Sequence, residues 1–310
     1  MRIAIMGAGA VGAYFGAKLA AAGHDLVFVA RGQHLEALRR RGLRIDSADG
    51  ELHVTESLFT DEPSRAGLVD LVLFCVKSYD TDTAARAIAP MIGAETKILS
   101  LQNGIDNREK IAGLWSAPRT LAGVVYIGAQ VSKPGVILHS SGGKIVFGPI
   151  SGAGVGAESI EQTFSAAQIP CALRNDIQRL QWSKLVWNAP FCAISCLARA
   201  NVKQILESAP LKKLAIDCMA EVQAAALTRA VELPRSLFDE TIGFSSGLGA
   251  FKPSMLQDLE AAKPLEYEAL NGIVVKLLQE AGKAAPVNAA FYAMLQHLDK
   301  LCREEAAHRQ

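Results

Sequence analysis

No run in this 310-residue chain is apolar for long enough to cross a bilayer. The longest, such as 71–76, are strand-length, whereas a spanning helix needs about 18 residues. The N-terminus offers one basic residue, Arg2, and then Gly-rich sequence; it lacks the basic, apolar and cleavage regions of a secretory leader. A large charge excess is missing too. With 32 basic against 31 acidic residues, nothing global directs the chain to nucleic acid or to an anionic membrane. The six cysteines (Cys75, Cys171, Cys192, Cys196, Cys218, Cys302) are scattered. They form no CxxC pair and no Cys/His cluster at metal spacing, so no metal site is expected and a reducing, cytoplasmic setting fits. Cys192 and Cys196 can share a helix face, a spacing better suited to small core packing than to metal or redox chemistry. Internal repeats and low-complexity tracts are absent as well.

What is present is an apolar half, enough for a large core, in a length that suits about two domains. Strands are expected over 2–6, 26–30, 69–76 and 97–101, and helices over 10–22, 33–41 and 81–89. A hairpin of 43–47 with 51–54 is expected around Asp49-Gly50 in a type I′ turn. Strand alternating with helix argues for a parallel sheet with right-handed crossovers. From 120 to 148 three strand-like stretches (121–127, 135–139, 144–147) are separated by Gly, Ser and Pro, and read as antiparallel additions to that sheet. Residues 151–156 are Gly-rich and read as a surface loop, followed by a helix over 157–167 and a short strand over 171–173. Beyond about Asp176 strand signals nearly vanish: 177–200, 202–208, 211–230, 235–241, 255–261, 265–282 and 287–303 read as helices, the first kinked or interrupted by Pro190. The expected class is α/β: an N-terminal Rossmann domain (1–175), mostly parallel with antiparallel additions, and an all-α C-terminal domain (176–310).

Gly7-Ala8-Gly9-Ala10-Val11-Gly12 is a G-x-G-x-x-G that follows a strand and opens a helix, the context this weak pattern needs. The first glycine permits the tight turn, the second lets backbone approach a pyrophosphate, and the third lets helix pack on strand. Free N–H groups at Ala10, Val11 and Gly12, with the helix dipole, favour phosphate. At the tip of the second strand an NAD site has an acid; this chain has Arg31 there, which suits a 2′-phosphate and hence NADPH over NADH. The alternative for Arg31 is a solvated loop cation. Functional residues should gather at the carboxyl ends of the parallel strands. Lys77 could meet phosphate or ribose, or be a surface lysine. Asn103, before Gly104, could face the nicotinamide ribose or the substrate, or simply form a turn.

Lys184 and Asn188 are spaced i, i+4 and share a helix face in the mostly apolar run Trp182-Ser183-Lys184-Leu185-Val186-Trp187-Asn188. A desolvated lysine there has a lowered pKa that suits proton transfer, although a helical lysine is more often a solvated surface residue. Ser254 stands at a helix N-terminus, where it could receive a carboxylate or act only as a cap. Glu266, two residues after Pro264, could be catalytic or a first-turn acid complementing the dipole. Spacing alone decides neither case.

Taken together, these blocks resemble the ketopantoate reductase family (2-dehydropantoate 2-reductases), nearly end to end. The resemblance rests on Gly7, Gly9 and Gly12, on Arg31 in Val29-Ala30-Arg31-Gly32, and on Lys77 and Gln102-Asn103-Gly104. It continues through Lys184-Leu185 with Asn188, Ser254-Met255-Leu256-Gln257-Asp258, Glu266 and Asn271-Gly272. It implies that Lys184 is the catalytic proton donor and that Glu266 orients substrate and lysine. It implies substrate or cofactor contacts for Asn103, Asn188 and Ser254, the last with the carboxylate. The implied reaction is NADPH-dependent reduction of 2-dehydropantoate to D-pantoate, on the route to pantothenate and coenzyme A. One departure stands out: the family often has a second Asn one turn after Asn188, where this chain has Cys192, and a thiol cannot replace an amide that both donates and accepts. That departure motivates a rival, a reductase of another small 2-keto acid. A non-catalytic NADPH-binding sensor is a second rival, against which the presence of both Lys184 and Glu266 argues. The apolar C-terminal helices are compatible with a homodimer interface or with core alone.

Overall fold

The computed structural model describes residues 1–150, 154 and 156–308; of the loop expected over 151–156, residues 151–153 and 155 lie outside it. The chain forms two compact units, Met1–Gln102 with Asp106–Ile177, and Asn103–Ile105 with Gln178–Gln310. In the first unit the elements are β1 (Arg2–Met6), α1 (Ala10–Ala21), β2 (Asp25–Val29), α2 (Gly32–Arg41), β3 (Leu43–Ser47), β4 (Leu52–Val54), β5 (Leu58–Thr60) and β6 (Val69–Phe74). They continue with α3 (Thr81–Ala87), β7 (Ile92–Ser100), α4 (Asn107–Trp115), β8 (Thr120–Lys133), β9 (Val136–Gly148), α5 (Ala157–Ala166) and β10 (Cys171–Leu173).

One sheet runs β4-β3-β9-β8-β7-β6-β1-β2-β5, with β10 added on β9. From β8 to β5 every neighbour is parallel, in the doubly wound dinucleotide-binding order with its reversal between β1 and β6. These strands read as continuous apolar runs because both faces are buried. Ile3, Ile5, Leu71 and Leu73 pack with α1 and α5 on one side; Ala4, Met6, Val72 and Phe74 pack with α3 and Ile111 of α4 on the other.

Several expectations need correction. The three stretches expected over 120–148 are two long strands, β8 and β9, antiparallel to each other. Ser140–Gly143 does not end β9; its irregularities are absorbed as register shifts against β8, the way a bulge bends a strand without stopping it. β8 is parallel to β7, and β9 to β3, so only part of the extension is antiparallel. β3 and β4 do form the expected hairpin. Its turn is not type I′, however, because Gly50 has positive φ and Asp49 does not; the Asp49 N–H instead donates to Ser47 Oγ at 3.1 Å. Helix α4 was not expected at all.

The second unit contains α6 (Ile177–Ala198), α7 (Val202–Glu207), α8 (Ala209–Leu227), α9 (Leu237–Ser246) and α10 (Ser254–Glu260). A π-helical turn, Glu268–Gly272, leads into α11 (Ile273–Glu280), and α12 (Pro286–His308) closes the order. Its core centres on α6, with Trp182, Phe191, Met219, Val222, Leu256 and Val274 buried together. Pro190 does not interrupt α6, which is helical throughout: the ring removes one backbone donor, and burial on a packed core outweighs that single loss. Asn103–Ile105 groups with these helices rather than with the first unit, because Asn103 bonds a side chain on α6 and Ile105 packs against their core. No helix among the described residues is long and apolar enough to cross a membrane.

Candidate active site

In the first unit the sharp turn after β1 is fixed by backbone bonds: the N–H groups of Gly7 and Ala8 donate to the Val29 carbonyl at 3.2 and 2.8 Å. The first N–H donating into α1 is that of Ala13, to Gly9 at 2.8 Å. Those of Ala10, Val11 and Gly12 are therefore first-turn donors without helical acceptors, and no acid in the first turn competes for them. The three glycines differ in why they are glycine. Gly7 has φ +99°, and a Cβ there would lie 2.7 Å from the Val76 nitrogen. A Cβ at Gly12 would run into the Gly7 carbonyl oxygen and lie 2.7 Å from Ile5 Cγ2. At Gly9 a Cβ meets nothing within 4 Å, so protein packing does not demand glycine there. Open space beside free N–H groups fits a pyrophosphate brought close to the backbone.

Arg31 and Lys77 stand at the tips of β2 and β6. The exposed Arg31 guanidinium lies 3.8 Å from Asp80, a contact of the kind worth about 0–1 kcal/mol, so Arg31 is weakly committed. Asp80 was not foreseen; it ends the short turn Ser78–Asp80 that Lys77 opens. His34 braces the glycine loop: its Nδ1 accepts from the Gly135 N–H at 3.1 Å, so Nε2 carries the proton and donates to the Ala8 carbonyl at 2.9 Å. Nothing in the glycine motif signals this histidine. Burial pushes the Cys75 thiol, at the end of β6, up to about 12, which keeps it neutral beside the loop.

In the second unit the Lys184 amine donates to Asn103 Oδ1 at 2.9 Å. Loss of hydration brings its pKa down from 10.5 to about 8, against smaller opposing effects of Cys192 and then Glu266. Those opposing effects place the sulfur and the carboxylate within electrostatic reach of the amine. Glu266 is 5% exposed and is held in place through its neighbour: the Leu265 N–H donates to Asp299 at 2.9 Å, and Asp299 also pairs with Arg303 at 2.7 Å. Asn188 is 5% exposed and lies one helical turn beyond Lys184, on the same face.

Asn271, within the π-helical turn that follows Glu266, was singled out only as part of a motif. Its Nδ2 donates to the Ala189 carbonyl at 3.2 Å and to Asn288 Oδ1 at 2.9 Å. Asn288 Nδ2 in turn donates to Glu221 at 2.8 Å, and Glu221 accepts the first N–H groups of α12 at 2.9 and 2.8 Å. This buried chain ties the Glu266 segment to α6 beside Asn188. Ser254 is the first residue of α10; it is exposed, and no hydrogen bond joins its side chain to Lys184 among the described residues. The structure therefore brings Lys184, Asn103, Glu266, Asn188 and Cys192 into one cluster.

Residues 3–152 match the family model described as Ketopantoate reductase PanE/ApbA, and residues 176–299 that described as Ketopantoate reductase PanE/ApbA C terminal. A relative from Mesorhizobium japonicum, 2-dehydropantoate 2-reductase, is 32% identical, over 96% of this chain and 98% of its own. The crystal structure of a PanE/ApbA family ketopantoate reductase from Ralstonia eutropha JMP134 superposes with a TM-score of 0.91 at 31% identity, over 98% of this chain and 100% of that one. That of 2-dehydropantoate 2-reductase from Geobacter metallireducens GS-15 gives 0.89 at 32% identity, over 96% and 99%.

Proposed function

The chain belongs to the ketopantoate reductase family of oxidoreductases, and on that premise we propose that it reduces 2-dehydropantoate to D-pantoate with NADPH. The observation that carries the reading is the Lys184 amine: desolvated, at about 8, bonded to Asn103 and near a buried carboxylate. NADPH, when bound, supplies hydride to the C2 carbonyl carbon. Everything else falls to the protein. Gly9, Ala10, Val11 and Gly12 receive the pyrophosphate on backbone N–H groups, and Arg31 with Lys77 takes the 2′-phosphate. Asn103 fixes the Lys184 ammonium, which donates its proton to the carbonyl oxygen as charge develops there. Glu266 orients substrate and amine, and Asn188 offers an amide to the substrate. Ser254, exposed at the start of α10, offers its hydroxyl to the carboxylate of the keto acid.

Saturable NADPH oxidation with 2-dehydropantoate, with NADH run in parallel, tests the reaction. Wild type should prefer NADPH. Arg31→Ala should raise KM for NADPH by about 10–100-fold, the scale of one hydrogen bond to a charged group, and leave NADH almost unchanged. Equal losses with both cofactors would remove Arg31 from phosphate recognition. A second reading, reduction of a bulkier or less polar 2-keto acid, is favoured by one observation: the thiol of Cys192 occupies the cluster where an amide would hold a polar substrate more firmly.

A further inference from the structure

Gln181, Lys184, Asn188 and Cys192 recur at three- and four-residue steps along α6 and so form a single row. Gln181 begins it, one turn before the amine. It is 7% exposed, and its Oε1 is a buried oxygen with no hydrogen-bond partner among the described residues. Buried amide oxygens are nearly always paired, so an orphan calls for a cause. No packing reason requires this one: the position lies beside apolar Trp182 and Leu185, and leucine or methionine would fill similar volume with no polar atom to satisfy. The amide caps no helix and braces no other side chain among the described residues.

An unpaired acceptor calls for a donor. On the reading proposed above, the bound keto acid presents a carboxylate and a carbonyl, which only accept, and one hydroxyl, its single donor. The row places Gln181 and Lys184 about 5–6 Å apart at Cβ, a spacing that lets the amine serve the carbonyl while Oε1 serves a hydroxyl on the same chain. We infer that Gln181 accepts a hydrogen bond from the substrate hydroxyl and makes the site select hydroxylated over plain 2-keto acids. At the other end of the row Cys192 is a poor partner for such a group; of the two amides in the row, Gln181 and Asn188, Gln181 is the one whose buried oxygen is left without a partner. The inference rests on the proposed reduction of 2-dehydropantoate. An amide N–H on the nicotinamide would offer the same donor chemistry, and the test separates the two.

The test crosses two deletions. The substrate is 2-dehydropantoate or 3,3-dimethyl-2-oxobutanoate, the same skeleton with hydrogen in place of the hydroxyl; the enzyme is wild type or Gln181→Leu. NADPH Kd is measured on both enzymes by fluorescence titration. Wild type should favour the hydroxylated acid by about tenfold or more in kcat/KM, as expected for one hydrogen bond to a buried group. Gln181→Leu should lose that factor on the hydroxylated acid, mainly in KM, with the other acid and the NADPH Kd almost unmoved. Gln181→Met carries the same comparison if the leucine variant does not fold. Equal loss on both acids, or a loss residing in the NADPH Kd, overturns the role. A wild type that reduces neither acid rejects the function itself, and this inference with it.

Discussion

Replacing Lys184 with methionine is expected to lower kcat for keto-acid reduction by about 10²–10⁴-fold, the usual contribution of a positioned general acid, while NADPH Kd stays near the wild-type value. Methionine is close to lysine in length and volume and lacks only the charge, and the helix around position 184 already buries Trp182, Leu185 and Val186. The loss should therefore fall on chemistry rather than on folding. The pH dependence follows from the direction of the pKa shift. Burial brings the amine down to about 8, so the ammonium is the majority form below that pH and the free amine above it. Reduction needs the proton on nitrogen; its rate should be flat below about 8 and fall tenfold per pH unit above. Oxidation of the hydroxy acid needs the free amine, and its profile should run the opposite way. Wild-type profiles with no limb near 8, or a methionine variant with unchanged kcat, would take the proton away from Lys184.

The glycine loop carries the second large effect, and it separates fold from ligand. Gly12→Ala places a methyl group against the Gly7 carbonyl oxygen and Ile5. Backbone cannot yield as a flexible side chain would, and overpacking of this kind costs about 1–3 kcal/mol or more, a sizeable part of a typical stability of about 5–15 kcal/mol. Gly9→Val should behave differently. Gly9 has ordinary extended backbone, φ −73°, and open space where a Cβ would stand, so thermal stability should be preserved. The valine would hold a pyrophosphate off the free N–H groups, with loss of at least one charge-assisted hydrogen bond, about 10–100-fold in NADPH affinity. Calorimetry and cofactor titration on the two variants give the answer. A Gly9→Val protein that binds NADPH like wild type would remove the loop from the cofactor site.

Much of the first unit was legible in the sequence because strands buried on both faces leave continuous apolar runs, and because the glycine spacing carries a mechanical meaning that the neighbouring atoms reproduce. Helix α4 escaped because its buried positions are Asn107, Arg108 and Ile111. The Arg108 guanidinium is turned inward to the Thr120 and Ala117 carbonyls at 3.0 and 2.9 Å, so no apolar stripe marks the helix. The break expected within β9 failed for a related reason: Ser140, Ser141, Gly142 and Gly143 have turn chemistry, but a long partner strand outweighs local preference. On α6 the spacing of Lys184 and Asn188 gave away their shared face. The partner of Lys184 was hidden, because Asn103 lies 81 residues earlier in the chain and only the fold carries it there. Gln181 was invisible for another reason: a single glutamine in an apolar helix makes no pattern until its oxygen is seen to be buried and unpaired.

The most direct test of the central claim follows the hydride. Incubation of the protein with 2-dehydropantoate and NADPH deuterated at the transferring position, with mass analysis of the product, should give pantoate carrying one deuterium at C2. Tight NADPH binding with no labelled pantoate would contradict the account and would place the chain among proteins that bind the cofactor without reducing this acid.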